Sequence, residues 1–154
     1  MTLLQVSKGK LIFRMSESER SLLLTLFDLY PRVPSASGLS RRGGKPRLSK
    51  DTEGLLEEAL AEQRAETKKR LKTFLDDSKR FELTEKGWKF SLADQEADWL
   101  LQVLNDIRVG SWVALGSPEE RLDVLNENNM RDFWAMEISG RFEMVLLEAL
   151  RGLK

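Results

Sequence analysis

Histidine and cysteine are both absent from this sequence, and together they exclude most of the chemistry that side chains perform near neutral pH. No Ser–His or Cys–His nucleophile, no imidazole proton shuttle and no zinc site of the usual donors can be assembled. No disulfide can brace the fold, so burial of apolar surface must suffice. Net charge is absent too: 25 basic residues balance 25 acidic ones. A balanced chain is not a general polyanion binder, although charge can still be segregated locally. No run approaches the roughly 18 apolar residues that span a bilayer, and the opening Met1-Thr2-Leu3-Leu4-Gln5-Val6-Ser7-Lys8 lacks the pattern of a secretion signal. One cytoplasmic domain over residues 1–154, without membrane association, is expected.

What is present is 41% hydrophobic residues, arranged mostly with helical periodicity. Residues 2–6 (Thr-Leu-Leu-Gln-Val) and 11–15 (Leu-Ile-Phe-Arg-Met) flank a turn in which Gly9 is free to take positive φ, predicting an N-terminal hairpin. Ser16 and Glu19 have capping-box spacing. Leu22, Leu23, Leu26, Phe27 and Tyr30 follow as a helix that Pro31 ends. A second helix is predicted over 51–77, with its apolar stripe (Leu56, Leu60, Leu71, Phe74, Leu75) interrupted by Gln63, Arg64 and Thr67. That polar middle faces water or a polar partner. Trp88 and Phe90 suggest a short strand at 88–91 that pairs with the hairpin. A third helix at 93–115 is apolar around most of its circumference and ends at Gly116. Ser117-Pro118-Glu119-Glu120 has the form of a helix start, giving a fourth helix to about Glu127. A fifth runs over 130–151. Gly110 and Gly140 are placed to face one another where the third and fifth helices cross. The expected fold is mainly α: five helices around a central antiparallel helix pair, with a small antiparallel β element at the N-terminus.

Between the first two helices, residues 31–50 hold three prolines, three glycines, four serines, six basic residues and no acidic one. This reads as a flexible basic loop. Arg41, Arg42, Lys45 and Arg47 are its candidate contacts to phosphate or nucleic acid, although no aromatic residue is there to stack on bases. Asn105, Asp106 and Arg108 interrupt the most apolar helix. A buried charge needs partners, so they are read as an internal polar network or a ligand site. Trp112 lies off the main apolar stripe and is the candidate interface residue. The other tryptophans, Trp88, Trp99 and Trp134, fit a core. Ser7-Lys8-Gly9-Lys10 matches Ser-x-x-Lys only formally, because it sits in a turn. No catalytic residue, metal ligand or cofactor site is assigned.

Trp99-Leu100 followed by Leu104-Asn105-Asp106-Ile107-Arg108 resembles an uncharacterised bacterial family of small, mainly helical proteins, a domain of unknown function. Its members carry an acidic lead-in, a Trp-Leu, a Leu-Asn-Asp-Leu-Arg segment and a closing amphipathic helix. Here the lead-in is Asp94, Glu96 and Asp98, and the closing helix contains Val145-Leu146-Leu147-Glu148-Ala149-Leu150. The resemblance covers mainly residues 92–151. Ile107 stands where the family has Leu, and the basic loop is not a family feature. Because the family's genes often lie near the adaptor of the Clp protease, the resemblance implies a regulatory or proteolysis-related setting; it defines no site residues. The leading functional expectation is a non-enzymatic protein acting through protein–protein interaction or self-association. Nucleic-acid binding through residues 32–50 is the alternative, and a carboxylate-based enzyme or metal site comes third.

Overall fold

The computed structural model describes residues 1–7, 9–33, 50–118 and 126–152. In chain order the elements are β1 (Thr2–Ser7), β2 (Lys10–Met15), α1 (Glu17–Phe27), α2 (Lys50–Asp76), β3 (Phe81–Thr84), β4 (Gly87–Ala93), α3 (Asp94–Ala114) and α4 (Met130–Arg151). The strands form one antiparallel sheet in the order β1-β2-β4-β3. The molecule is therefore mainly helical with a four-stranded sheet.

Alternation decides which face of the sheet is covered. Leu11, Phe13 and Met15 on β2 are buried, as are Phe90 and Leu92 on β4, and all five join the core cluster. Arg14, Lys89 and Ser91 take the opposite face and are only half-buried. In register, Phe13 pairs with Phe90 and Phe90 with Phe81. The Phe81 ring stacks on Phe90 at 4.8 Å between centroids, and Phe74 of α2 meets Phe90 edge-on at 6.2 Å. Phe74 also lies 5.6 Å from Trp99 of α3. One aromatic chain thus links sheet, α2 and α3.

Several local expectations hold. Gly9 turns the first hairpin at φ +81°. The Ser16 hydroxyl accepts the Glu19 N–H at 3.1 Å while Glu19 accepts the Ser16 N–H at 3.0 Å. The strand expected at 88–91 exists, extended to Gly87–Ala93, and pairs with β2. Gly116 follows α3 at φ +93°.

Others are corrected. Among the described residues there are four helices, not five. Most of the helix expected after Pro118 lies outside them. Ser117 has φ +53° and its N–H returns to the Trp112 carbonyl at 3.0 Å, so it finishes α3 and does not have the extended backbone of an N-cap. The architecture is also not organised about one helix pair. α3 and α4 pack along one another, but the sheet, α1 and the C-terminal half of α2 complete the same core. β3 was not foreseen: it is four residues long and carries Leu83 at 67% exposure. α1 stops at Phe27, before Tyr30, because the Leu29 and Tyr30 amides bond three residues back, to Leu26 and Phe27.

Gly110 and Gly140 do not face one another. The main chain at Arg32 crosses α3 at Gly110, where an added Cβ would lie 2.3 Å from the Arg32 carbonyl carbon. A helical glycine costs roughly 1 kcal/mol relative to alanine, and the close crossing is what requires it. Gly110→Ala should therefore destabilise the protein by about 2 kcal/mol, overpacking outweighing the gain in helix propensity. Denaturant unfolding checks this, and a variant as stable as the parent would contradict the crossing.

Candidate functional site

The polar interruption of α3 divides into two separate arrangements. Asp106 points toward the strap formed by residues 31–33. Its Oδ1 accepts the Arg32 N–H at 2.7 Å and the Val33 N–H at 3.3 Å. The Val33 carbonyl accepts from Arg64 of α2 at 2.6 Å. The Arg32 guanidinium reaches over to Asp132 of α4 as an ion pair; burial, and then repulsion from Arg131, hold its pKa below the usual value. So the polar middle of α2 meets the polar part of α3 by way of the strap, Arg64 binding the Val33 carbonyl while Asp106 binds the strap's amides.

Beside this strap is a cavity of about 250 Å³ whose lining includes Tyr30, Gln63, Arg64, Thr67, Gln102 and Asp106. Burial raises the Tyr30 pKa, against a hydrogen bond to Thr67 that lowers it. Among the described residues Asp106 is the only carboxylate lining the cavity, and its Oδ1 is engaged by two backbone amides. The arrangement can hold a small polar group, and among the described residues no second carboxylate lines that space.

Arg108 and Asn105 belong elsewhere. Both are exposed. Arg108 donates to Asn105 Oδ1 at 3.0 Å and forms an ion pair with Glu143 of α4 at 3.3 Å. The expectation of one network joining Asn105, Asp106 and Arg108 is therefore met only in part: Asp106 holds the strap, whereas the other two sit at the α3–α4 seam. Trp112, one turn beyond Arg108, donates its indole N–H to the Pro118 carbonyl at 3.0 Å and leaves its ring 38% exposed. Arg41, Arg42, Lys45 and Arg47 lie outside the described residues.

Sequence reading missed Arg80. It is buried, and lies in a groove of about 630 Å³ with Arg70, Asp77, Glu96 and Trp99. Its guanidinium donates to both oxygens of Glu96, at 2.9 and 2.6 Å, and to the carbonyls of Phe74 at 3.2 Å and Ser91 at 2.7 Å. Burial alone would raise the Glu96 pKa, but its bonds from Arg80 and from the Ala93 N–H bring it below the usual value. An acidic residue in the first turn of a helix is already favoured by the helix dipole, so nothing in the sequence asked for a further partner for Glu96.

Among the described residues no group of three or more Asp, Glu, His or Cys side chains could hold a metal ion, and no helix is long and apolar enough to cross a membrane. Family models, curated proteins and solved structures were all compared with the chain, and none matches.

Two outcomes follow from the geometry. Asp106→Ala should cost about 1–3 kcal/mol, since charge-assisted bonds to two amides are lost. Hydrogen exchange at the Arg32 and Val33 amides should accelerate; unchanged exchange would contradict the anchoring role. Burial raises the Glu143 pKa, with Arg108 opposing it incompletely. The folded state therefore binds the Glu143 proton more tightly than the unfolded chain does. Stability from this group is present below the usual carboxylate range and is lost as pH rises through the raised pKa. Glu143→Gln should accordingly be more stable than the parent at pH 7, by a margin that shrinks on acidification. Urea midpoints at several pH values measure it, and a variant less stable at pH 7 would contradict the sign.

Proposed function

We propose that the protein acts by binding a protein surface, its own or another's, and that it does no chemistry on a small substrate. The observation that carries this reading is the large apolar side chains left in solvent on α3 and α4: Trp112, Met130, Met144 and Leu147. Contiguous exposed apolar surface marks an interaction site more often than single exposed residues do. The interior supports the same view. Leu104, Ile107, Phe142 and Leu146 are buried, so α3 and α4 spend their inner faces on a dry core. A deep cleft lined by Asp106, Arg108 and further carboxylates would have argued for an enzyme, yet Arg108 lies outside the Asp106 cavity.

A cytoplasmic, regulatory protein fits this reading, and the family resemblance over residues 92–151 implies such a setting. Five helices, and nucleic-acid contact through Arg41, Arg42, Lys45 and Arg47, both depend on segments outside the described residues.

Oxidative footprinting tests the proposal, because Met130, Met144 and Trp112 are reactive reporters. Their modification in concentrated protein or in cell extract should fall at least several-fold below that in dilute isolated protein. Equal modification in all three conditions would contradict a binding role for this surface.

A further inference from the structure

α4 buries one face through Ala135, Ser139, Phe142, Leu146 and Ala149. Helices turn about 100° per residue, so Phe133, Met136, Gly140, Met144 and Leu147 form a stripe on the opposite side. Met144 is 63% and Leu147 44% exposed. Phe133 and Met136 are partly exposed and belong neither to the core cluster nor to the hydrophobic residues packed on it. A solvent-facing helix side is ordinarily polar; here an apolar stripe runs along it, flanked by the exposed Glu137, Arg141 and Glu148. At its midpoint is glycine. A Cβ built on Gly140 meets only the Arg108 Cδ, at 3.6 Å, so no main chain of the described residues covers it.

The stripe is symmetric about that glycine. Met136 and Met144 stand four residues either side of Gly140, and Phe133 and Leu147 stand seven either side. We infer that the occupant of this face is a second copy of the chain, with the two α4 helices crossing antiparallel at Gly140. This rests on the binding role proposed above and names its partner. A two-fold axis at Gly140 sets Met136 against Met144 of the second copy and Phe133 against Leu147 of the second copy. The absent side chain lets the helices approach closely. Charge complements the match. Glu137 and Arg141, both exposed, lie along the same edge of the stripe, and no ion pair joins either to another described residue. The two-fold brings Glu137 of each copy within two residues, about 3 Å of helix rise, of Arg141 of the other. Two reciprocal ion pairs result. One helix crossing falls at the small end of specific interfaces, where weak and transient associations lie.

Sedimentation equilibrium of the full chain over roughly 10–300 µM tests this. The mass should rise from 17.7 kDa toward twice that value. Met144→Glu and Leu147→Glu replace exposed side chains, so each should keep the parent's circular dichroism and weaken association at least tenfold. Glu137→Arg and Arg141→Glu should each weaken it, and the two together should restore it, which a merely structural effect would not do. A mass fixed at that of one chain throughout, or a dimer indifferent to Met144→Glu and Leu147→Glu, would overturn the inference. A dimer lost instead on substituting Leu4 and Val6 of β1 would overturn it too, while leaving the wider binding role standing. Loss of that role would show separately, as unprotected Met144 and Trp112 in cell extract.

Discussion

Arg80 is the one charged side chain among the described residues that is buried, and much of the architecture converges on keeping it satisfied. Taking a guanidinium out of water costs several kcal/mol unless good acceptors replace the solvent. Here the acceptors come from three directions. The Phe74 carbonyl belongs to the end of α2, the Ser91 carbonyl to β4, and the Glu96 carboxylate to the first turn of α3. The Phe74 ring adds its face, 3.9 Å from the guanidinium carbon. A planar fork with fixed donors can meet all of these at once, which lysine could not. Because each acceptor sits on a different element, the side chain fixes where α2 ends relative to the sheet and where α3 begins. α2 needs that help. It runs 27 residues, about 40 Å, yet among its described side chains only Leu71 and Phe74 are buried.

The second constraint is the strap at residues 31–33. It lies against Gly110, its amides bind Asp106, its carbonyl takes Arg64, and its guanidinium reaches Asp132. Three helices are joined by a segment with no regular structure. Polar groups that resemble a site in the sequence are thereby committed to holding the fold: Asp106 anchors backbone, and Arg108 pairs with Glu143 across the α3–α4 seam. The feature on which the proposed binding role rests lies instead on the surface, in the apolar side chains on the outside of α4.

Much of this was legible from local pattern. The Ser16–Glu19 cap, the turn at Gly9, the pairing of the first two strands, and the periodicity of α3 and α4 are each written within a few residues, and each appears as expected. What was not legible depends on contacts between distant segments. Arg80 and Glu96 are 16 residues apart, and each alone has an ordinary explanation. Gly110 did signal a close approach, but the sequence offered Gly140 as partner when the strap at Arg32 was the true one. β3 escaped notice because a short edge strand buries little: Leu83 stays in solvent, so alternation carries a weak signal there. Ser117-Pro118 carried a strong local signal for a helix start, yet Ser117 is drawn into the end of α3 by its bond to the Trp112 carbonyl.

The most direct test of the account is a double-mutant cycle on Arg80→Met and Glu96→Gln, followed by denaturant unfolding at pH 7. If the pair organises the junction of α2, sheet and α3, each single substitution should cost about 3 kcal/mol, because it strands a buried charge or its partner. The double variant should then cost much less than the sum, leaving a coupling of about 2 kcal/mol or more. Additive losses, with coupling under about 0.5 kcal/mol, would show that Arg80 and Glu96 do not depend on one another and would remove the interaction on which this description of the fold is built.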